Sequence, residues 1–331
     1  MRVVSLLPSA TETLCALGGR GVLVGRSHEC DFPGGLEGVP ALTGQATRYD
    51  PGSGCGARAV DEQVRAARDA GWSVYTLDAD LLVDLRPDVI LTQEVCDVCS
   101  IDLESVRAAA RAVGERTGRE PEIVALNPRT VEDVLDDVLR VGRAVGMESQ
   151  AKRTVVSLRS RLTHAQEYVN AYAEGPVVGF LEWPDPLYIA GHWTVQLIER
   201  SGGRHPLNQT VARDRTGAAA GMQQGERVAG RSIAVPIEAF CATQPGVVIV
   251  APCGLNLEQA RAEAERLLAL PWFAALPAAR AGRVAAVDGS AMFNRPGPRL
   301  VEGFEFLVGY LNDRPELIPE GFPWCPVGVG A

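Results

Sequence analysis

The sequence lacks long apolar segments and clusters of basic residues. No run approaches the ~18 consecutive apolar residues that a membrane-spanning helix needs. No Lys/Arg run interrupts a formal net charge of -9 and a pI near 5.1, so the chain has no stretch suited to collecting phosphate backbones. We therefore expect neither membrane insertion nor nucleic-acid binding.

Several familiar motifs are also missing. The chain has no G-x-S-x-G or Walker sequence, and the glycines of GGRGVLVG (18–25) do not follow a strand as a dinucleotide fingerprint requires. The opening MRVVSLLPSATET (1–13) has an apolar run that ends at Pro8, too short for the core of a signal peptide. We therefore expect a cytoplasmic protein whose eight cysteines are mostly thiols.

What is present is a globular composition with repeated strand and helix patterns. The 331 residues, 46% hydrophobic and 22% charged, suffice for two domains. Apolar runs predict strands in the first half at 2–7, 22–25, 73–77, 88–92 and 122–126, and in the second half at 177–182, 246–252 and 283–288. Helical patterns lie near 59–70, 102–113 and 130–145, after Gly191, over 256–268 and from about Pro298. This alternation predicts mostly parallel sheets covered by helices.

Two helices have distinctive patterns. SATE (9–12) predicts a capping box at the start of the first helix, with Ser9 and Glu12 as its members. The stretch from Glu148 to Glu174 contains no Pro or Gly and carries apolar residues at helical spacing, which predicts one helix of roughly 40 Å.

The long helix divides the predicted fold. We predict an N-terminal α/β lobe over 1–146, an interlobe helix over 147–175 and a C-terminal α/β lobe over 176–331. The expected fold class is α/β: two doubly wound lobes joined by a single long helix, which we expect to be rigid because it has no Gly or Pro hinge.

An ordered series of segments carries a family resemblance. RVVSLLPSATETLCALG, LVGRSHECDFP, LRPDVILTQ, the long helix, ERSGG and PGVVIVAPCG together span most of residues 2–312. In this order they resemble the cobalamin-binding type of ABC-transporter substrate-binding proteins. The resemblance implies a periplasmic-binding-protein-like fold with a helical backbone, a corrinoid such as cobalamin held in the cleft between the lobes, and a transporter or pathway partner. It departs from the family in showing no export signal.

Four cysteines follow predicted strands. Cys30 follows the second strand, Cys96 and Cys99 follow the fourth, and Cys253 follows the matching strand of the second lobe. Ligands of open parallel sheets bind beyond the carboxyl ends of the strands. Three or four thiolates there would hold zinc or an iron-sulfur cluster, and a three-cysteine cluster leaves one iron open to a ligand. The alternative is four packed thiols that behave as small apolar residues.

Histidines and aromatic residues are candidates for contacting the ligand. His28 and Glu29 stand beside Cys30, where the imidazole would ligate a metal, act as an axial ligand to a corrin cobalt, or hydrogen-bond the loop. His192 and Trp193 open a predicted helix, and Trp183 precedes it in EWPDP. Aromatic walls suit a flat macrocycle, although ordinary packing within the lobe explains them equally well.

Polar and charged groups form the last candidate set. Arg295 and Arg299 would clamp a carboxylate or phosphate by bidentate bonds, or pair with glutamates of the same helix. Ser9 and Thr11 lie in the turn PSATE, whose free N–H groups suit an anion or an amide.

Two functions are compatible with these residues. One is a binding protein for a corrinoid or another metal-containing ligand. The other is a cytoplasmic metalloenzyme in which Cys30, Cys96 and Cys99 hold an iron-sulfur cluster or metal ion whose open position acts as a Lewis acid toward a small substrate.

Overall fold

The computed structural model describes residues 1–50, 55–70, 73–93, 103–170, 172–212 and 227–328. The chain divides into two compact units, here called unit 1 and unit 2. Unit 1 comprises Met1–Pro128 and Glu132–Arg159, and unit 2 comprises Arg129–Val131 and Ser160–Ala331. Each unit has a sheet of its own.

Unit 1 is built on a parallel sheet of four short strands. The strands are β1 (Val3–Ser5), β2 (Leu23–Arg26), β5 (Val89–Thr92) and β6 (Glu122–Ala125), in the order β2-β1-β5-β6. All residues of β1 and β5 are buried, as expected for central strands with helices on both faces. Apolar side chains of both strands belong to a core cluster that also contains Leu82 and Val106, and Ile90, Leu82 and Val106 are all fully buried.

The predicted strand at 73–77 has a different partner from the one expected. β4 (Tyr75–Leu77) pairs antiparallel with β3 (Thr43–Gln45) and forms a separate two-stranded sheet. The central residue of β4 is exposed, so this strand lacks the two buried faces that a place in the parallel sheet would give it. Strand β3 was not predicted, because its Thr-Gly-Gln sequence has no apolar run.

The helices of unit 1 are α1 (Pro8–Ala16), α2 (Ala57–Asp69), α3 (Ala79–Leu85), α4 (Leu103–Thr117) and α5 (Val131–Ala144), whose first residue belongs to unit 2. The predicted capping box in α1 is wrong. The N-cap residue is Leu7, without a side-chain cap, and Pro8 occupies the first helical position, where its fixed φ and missing N–H are tolerated. Ser9 and Glu12 are instead buried within the helix.

Helix α6 (Glu148–Gln166) is shorter than the predicted helix. Its 19 residues span about 28 Å, and the chain then turns, with Tyr168 N–H donating to the Ala165 carbonyl at 3.2 Å. The Asn170 side chain accepts the Tyr172 N–H at 3.0 Å, a local bond that competes with helix. Absence of Pro and Gly was therefore an insufficient signal for helix continuation. The boundary between the units falls within α6, after Arg159.

Unit 2 contains a mixed sheet of six strands in the order β11-β8-β7-β12-β13-β14. The strands β7 (Val178–Pro184), β12 (Val247–Val250) and β13 (Val284–Val287) are parallel to one another. Antiparallel strands complete both edges: β8 (Leu187–Ile189), β11 (Ile233–Ala234) and β14 (Trp324–Val327). A separate two-stranded sheet pairs β9 (Val211–Ala212) with β10 (Arg227–Val228).

The helices of unit 2 are α7 (His192–Arg200), α8 (Ile237–Ala242), α9 (Leu257–Leu268), α10 (Pro271–Ala274), α11 (Pro277–Arg280) and α12 (Leu300–Leu311). Helix α9 begins with a capping box between Asn256 and Gln259. The α/β fold expected from the strand and helix patterns is thus confirmed. Within the described part of the chain, no helix is both long enough and apolar enough to cross a bilayer.

Candidate ligand-binding site

In unit 1 the candidate residues lie in the loop that follows β2. Arg26, the last residue of that strand, fixes the loop because its guanidinium donates to the carbonyls of Ser27 (3.1 Å) and Cys30 (3.3 Å) and, from Nε, to those of Leu36 (3.2 Å) and Val39 (3.1 Å). The four side chains 27–30 are therefore presented by a loop with a defined backbone. This is the carboxyl end of a parallel strand, where such sheets bind ligands.

The imidazole of His28 is held through one nitrogen. Its Nδ1 lies 2.6 Å from the Thr43 hydroxyl oxygen, which also accepts the His28 backbone N–H at 2.9 Å and lies 3.0 Å from the Ser27 hydroxyl. The other nitrogen, Nε2, is buried and has no hydrogen-bond partner among the described residues. Burial lowers the pKa of His28, against a rise caused by Glu29, and Arg26 lowers it further. The ring is therefore favoured in its neutral form, which has a lone pair.

Glu29 and Tyr75 form the second interaction of this loop. The Tyr75 hydroxyl donates to Glu29 Oε1 at 3.1 Å. The Tyr75 ring also lies 5.7 Å from the His28 ring, with the two planes tilted by 49°. Strand β4 therefore packs an aromatic side chain against the candidate imidazole.

Ser9, Thr11 and Cys30 lie in the interior of unit 1. Thr11 is fully buried, and its hydroxyl lies 3.0 Å from the Cys30 sulfur, which belongs to a side chain that is 2% exposed. Ser9 is 3% exposed. This arrangement links α1 to the β2 loop and suits Cys30 as a packed thiol as well as a metal ligand.

In unit 2 the candidate histidine begins α7 with an unusual backbone. His192 has φ 47°, in the left-handed region that non-glycine residues rarely adopt, and its N–H donates to the Gly230 carbonyl at 2.8 Å. The preceding Gly191 cannot be replaced without displacement, because a Cβ there would lie 2.2 Å from the Ser232 nitrogen. The Glu182 carboxylate accepts the Gly191 N–H at 3.3 Å and also accepts the Ser232 hydroxyl. The start of α7 is thus fixed against the 230–232 segment.

His192 and Trp193 form an aromatic pair. Their rings are stacked, with centroids 5.6 Å apart and planes inclined by 22°. Burial lowers the pKa of His192, and the guanidinium groups of Arg129 and Arg231 lower it further. His192 Nδ1 is buried without a hydrogen-bond partner in the described chain. The pair therefore presents a neutral imidazole next to an indole.

The remaining candidates of unit 2 lie near the carboxyl ends of its parallel strands. Trp183 lies near the end of β7, and its indole donates to the Asp185 carbonyl at 3.1 Å. Cys253 follows β12 and is exposed. Arg295 is only 7% exposed and donates to the Ser290 hydroxyl at 3.2 Å.

Arg299 was expected within the first turn of the last helix, but it lies just before that helix. It occupies the N-cap position of α12, and its carbonyl accepts the Gly303 N–H at 3.2 Å. Among the glutamates of α12, Glu305 forms a bidentate pair with Arg161 at 2.9 and 2.5 Å. The cationic side chain therefore stands at the start of α12 rather than within its first turn.

Only Cys30 and Cys253 of the predicted cysteine cluster lie within the described residues. Cys96 and Cys99 lie outside the described ranges. Within those ranges, no group of three or more His, Cys, Asp and Glu side chains is arranged to hold a metal ion. The described residues therefore give no support to the iron-sulfur enzyme, and the cysteine-held metal stays a prediction.

The residues that orient these side chains were not predicted from the sequence. Thr43 and Tyr75 come from the small antiparallel sheet, and the Phe293 carbonyl accepts the Trp193 indole N–H at 2.6 Å. A threonine, a tyrosine and a backbone carbonyl carry no motif. Only SVYTL (73–77) gave a signal, as a strand that places Tyr75 in an ordered element.

Comparison with known proteins identifies the fold. The family model described as "Periplasmic binding protein" matches residues 3–291. The chain belongs to the periplasmic binding protein family. A search of curated protein sequences gives no match.

Solved structures agree with the family assignment. The periplasmic vitamin B12-binding protein BtuF of Vibrio cholerae is 19% identical, with a TM-score of 0.63 over 95% of this chain and 98% of that one. The periplasmic haem-binding protein RhuT from Roseiflexus sp. RS-1 is 21% identical, with a TM-score of 0.63 over 95% and 98%. A periplasmic haem-binding protein from Pseudomonas aeruginosa is 21% identical, with a TM-score of 0.62 over 94% and 92%. At these identities the likeness shows the fold.

As a periplasmic binding protein, the chain has a general function that follows from its family. Such proteins bind small ligands and work with ABC transporters. The resemblance to ABC-transporter substrate-binding proteins found in the sequence is thus confirmed.

Proposed function

We propose that this periplasmic binding protein binds a metal tetrapyrrole, a corrinoid or a haem, and that His28 supplies an axial ligand to its metal. The observation that carries the proposal is the state of the His28 ring, which is held through Nδ1 by Thr43 and has no described partner at Nε2. The structural similarity to haem-binding and vitamin B12-binding proteins supports the ligand class.

The hydrogen bond at Nδ1 suits metal binding through Nε2. A metal-ligating histidine usually donates its other ring N–H to an oxygen, which fixes the tautomer and the ring orientation. Thr43 offers that oxygen at 2.6 Å, and its own hydroxyl proton is then directed toward Ser27, 3.0 Å away. The lowered pKa of His28 favours the neutral ring that a metal requires. Because Nε2 is buried, neighbouring atoms must move before a metal reaches it.

The occupied site would relieve an energetic cost. A buried polar atom without a partner costs about 1–3 kcal/mol, and His28 Nε2 is such an atom in the described chain. A metal bond at Nε2 replaces the missing hydrogen bond. On unit 2, the stacked pair of His192 and Trp193 offers a flat aromatic surface, which suits a conjugated macrocycle.

The test is titration of the purified protein with hemin and with aquocobalamin, followed by visible absorption. Histidine ligation changes the absorption bands of either metal centre, so binding of one of them with a ligation shift is the expected result. His28→Ala should abolish the shift and lower affinity at least tenfold. The control is His164→Ala, which removes an exposed histidine of α6 that lies 3.7 Å from Glu167.

Thr43→Val gives a second, graded test. Loss of the oxygen that orients the ring should lower affinity by about 10- to 100-fold while leaving the ligation shift in place. Failure of both tetrapyrroles to bind the wild type would refute the proposed ligand class. Binding with an unchanged spectrum in His28→Ala would refute the role of His28.

The family supplies a candidate partner class. We propose that the ligand is passed to or received from an ABC transporter, the partner class of the family. Cytoplasmic localisation stays a prediction from the sequence, and cell fractionation of the expressed full-length protein tests it.

A further inference from the structure

A chain of contacts within unit 2 fixes the orientation of Trp193. The indole N–H donates to the carbonyl of Phe293 at 2.6 Å, so the ring cannot rotate freely about its side-chain bonds without breaking that hydrogen bond. The stacked His192 ring, whose centroid lies 5.6 Å from that of the indole, also restricts the orientation of the indole. Trp193 is partly exposed, so the constraint acts on a side chain that a ligand can still reach.

The Phe293 carbonyl points toward Trp193 because of an unusual backbone. Phe293 has φ 60°, in the left-handed region that is unfavourable for a bulky residue. Such conformations persist only where the surroundings enforce them, and they cluster at functional sites. His192 also has a left-handed φ, so two strained residues contact the same tryptophan.

Packing of the Phe293 ring enforces this conformation. The ring is 1% exposed and packs edge-on against Phe180, with centroids 5.0 Å apart. It lies directly over Gly303 of α12: a Cβ added there would lie 3.0, 3.3 and 3.4 Å from three atoms of the Phe293 ring. Glycine destabilises a helix interior. Its presence at position 303 is explained by the close approach of the Phe293 ring, which a Cβ would obstruct.

We infer that Phe293 and Gly303 are positioning residues that hold Trp193 as a rigid platform for stacking against the face of a flat conjugated ligand. The inference rests on the proposed function for the class of ligand. A preformed platform binds such a ligand without first ordering the indole, which lowers the entropic cost of binding. Neither residue needs to touch the ligand.

The test observes the indole directly in the ligand-free protein. Each of the five tryptophans gives one indole N–H resonance in a spectrum of ¹⁵N-labelled protein, and Trp193→Phe identifies the resonance of Trp193 by its loss. The wild-type resonance should exchange slowly with solvent. Gly303→Ala should shift or broaden it, because the Phe293 ring must move by a few tenths of an ångström.

The matched control is Gly246→Ala in the same unit. A Cβ at this half-buried glycine meets only the Pro176 Cβ, at an ordinary 3.8 Å, so the Trp193 resonance should not change. A merely structural role for Gly303 would alter the melting temperature and leave the Trp193 resonance in place, which would overturn the inference. Should Gly303→Ala fail to fold, rapid solvent exchange of the wild-type indole N–H would overturn it as well.

Metal-free protoporphyrin IX separates this inference from the proposed function. It has a flat conjugated face and no metal for His28, so its binding depends on stacking. Gly303→Ala should weaken its binding about threefold or more, and the control Gly246→Ala should leave that binding unchanged. Equal binding by wild type and Gly303→Ala would refute the platform even if hemin ligation by His28 were established. If no tetrapyrrole bound the wild type, the proposed function would fail, and the indole resonance would still decide whether Phe293 and Gly303 position Trp193.

Discussion

Replacing Asp137 with asparagine should change how the stability of unit 1 depends on pH. Asp137 lies on the apolar face of α5, 5% exposed, between the buried residues Val134 and Val141. One carboxylate oxygen bonds Arg140 at 3.1 Å, and the other is buried without a partner in the described chain. Burial raises the pKa of Asp137 to about 7, although Arg140 opposes the rise.

The neighbouring acids of the same helix act in the same direction as burial. Asp133 and Asp136 also raise the pKa of Asp137. A pKa raised above the unfolded value means that the folded protein holds the proton more tightly, so the stabilising contribution exists at low pH. It is complete below about pH 4, the ordinary value of an aspartate, and it is lost as pH rises toward 7.

The magnitude follows from the two pKa values. With a pKa of about 7 when folded and about 3.9 when unfolded, the contribution of Asp137 falls by about 2–3 kcal/mol between pH 5 and pH 8. Asparagine has nearly the same shape and does not titrate. The free energy of unfolding of Asp137→Asn, relative to wild type, should therefore rise by about 2–3 kcal/mol from pH 5 to pH 8.

Two measurements check this. Urea denaturation at a series of pH values gives the stability difference, and a ¹³C carboxyl titration of the folded protein gives the pKa of Asp137 directly. The control is Asp136→Asn, which changes the exposed neighbour and should leave the pH dependence close to that of wild type. An Asp137 carboxyl that titrates near 4, or a pH-independent difference between Asp137→Asn and wild type, would refute the reasoning.

Three further predictions concern the candidate site. Gly191→Ala should destabilise unit 2 by about 2 kcal/mol or more in thermal unfolding, because its Cβ would lie 2.2 Å from the backbone nitrogen of Ser232. The control Gly34→Ala, whose Cβ would have nothing within 4 Å, should have little effect. Equal melting temperatures of the two variants would contradict the close approach. Arg299→Ala should lower hemin affinity by roughly tenfold to 150-fold if it binds a propionate, and normal affinity in equilibrium titration would remove the arginine from the site. Cys30→Ser should remove most of any metal that copurifies without oxygen, whereas Cys15→Ser should not; a wild type without stoichiometric metal would end the cysteine hypothesis.

The fold was predictable where local signals agree with tertiary structure. Buried strands such as Val89–Thr92 have continuous apolar sequences, and helices alternate with them at the expected spacing. Predictions of sheet membership failed where the pairing partner of a strand decides which sheet it joins. Tyr75–Leu77 has a strand sequence, yet its pairing with Thr43–Gln45 depends on a segment without any apolar pattern.

The candidate site was predictable in position and only partly in chemistry. Strand ends can be located from apolar runs, so His28 was placed correctly after β2 and His192 at the start of α7. What each side chain does depends on atoms that are distant in sequence. Thr43 decides which nitrogen of His28 is left without a partner, and the Phe293 carbonyl, 100 residues away, decides the orientation of Trp193. Because a backbone carbonyl is present in every residue, only the fold can reveal which one faces the Trp193 ring.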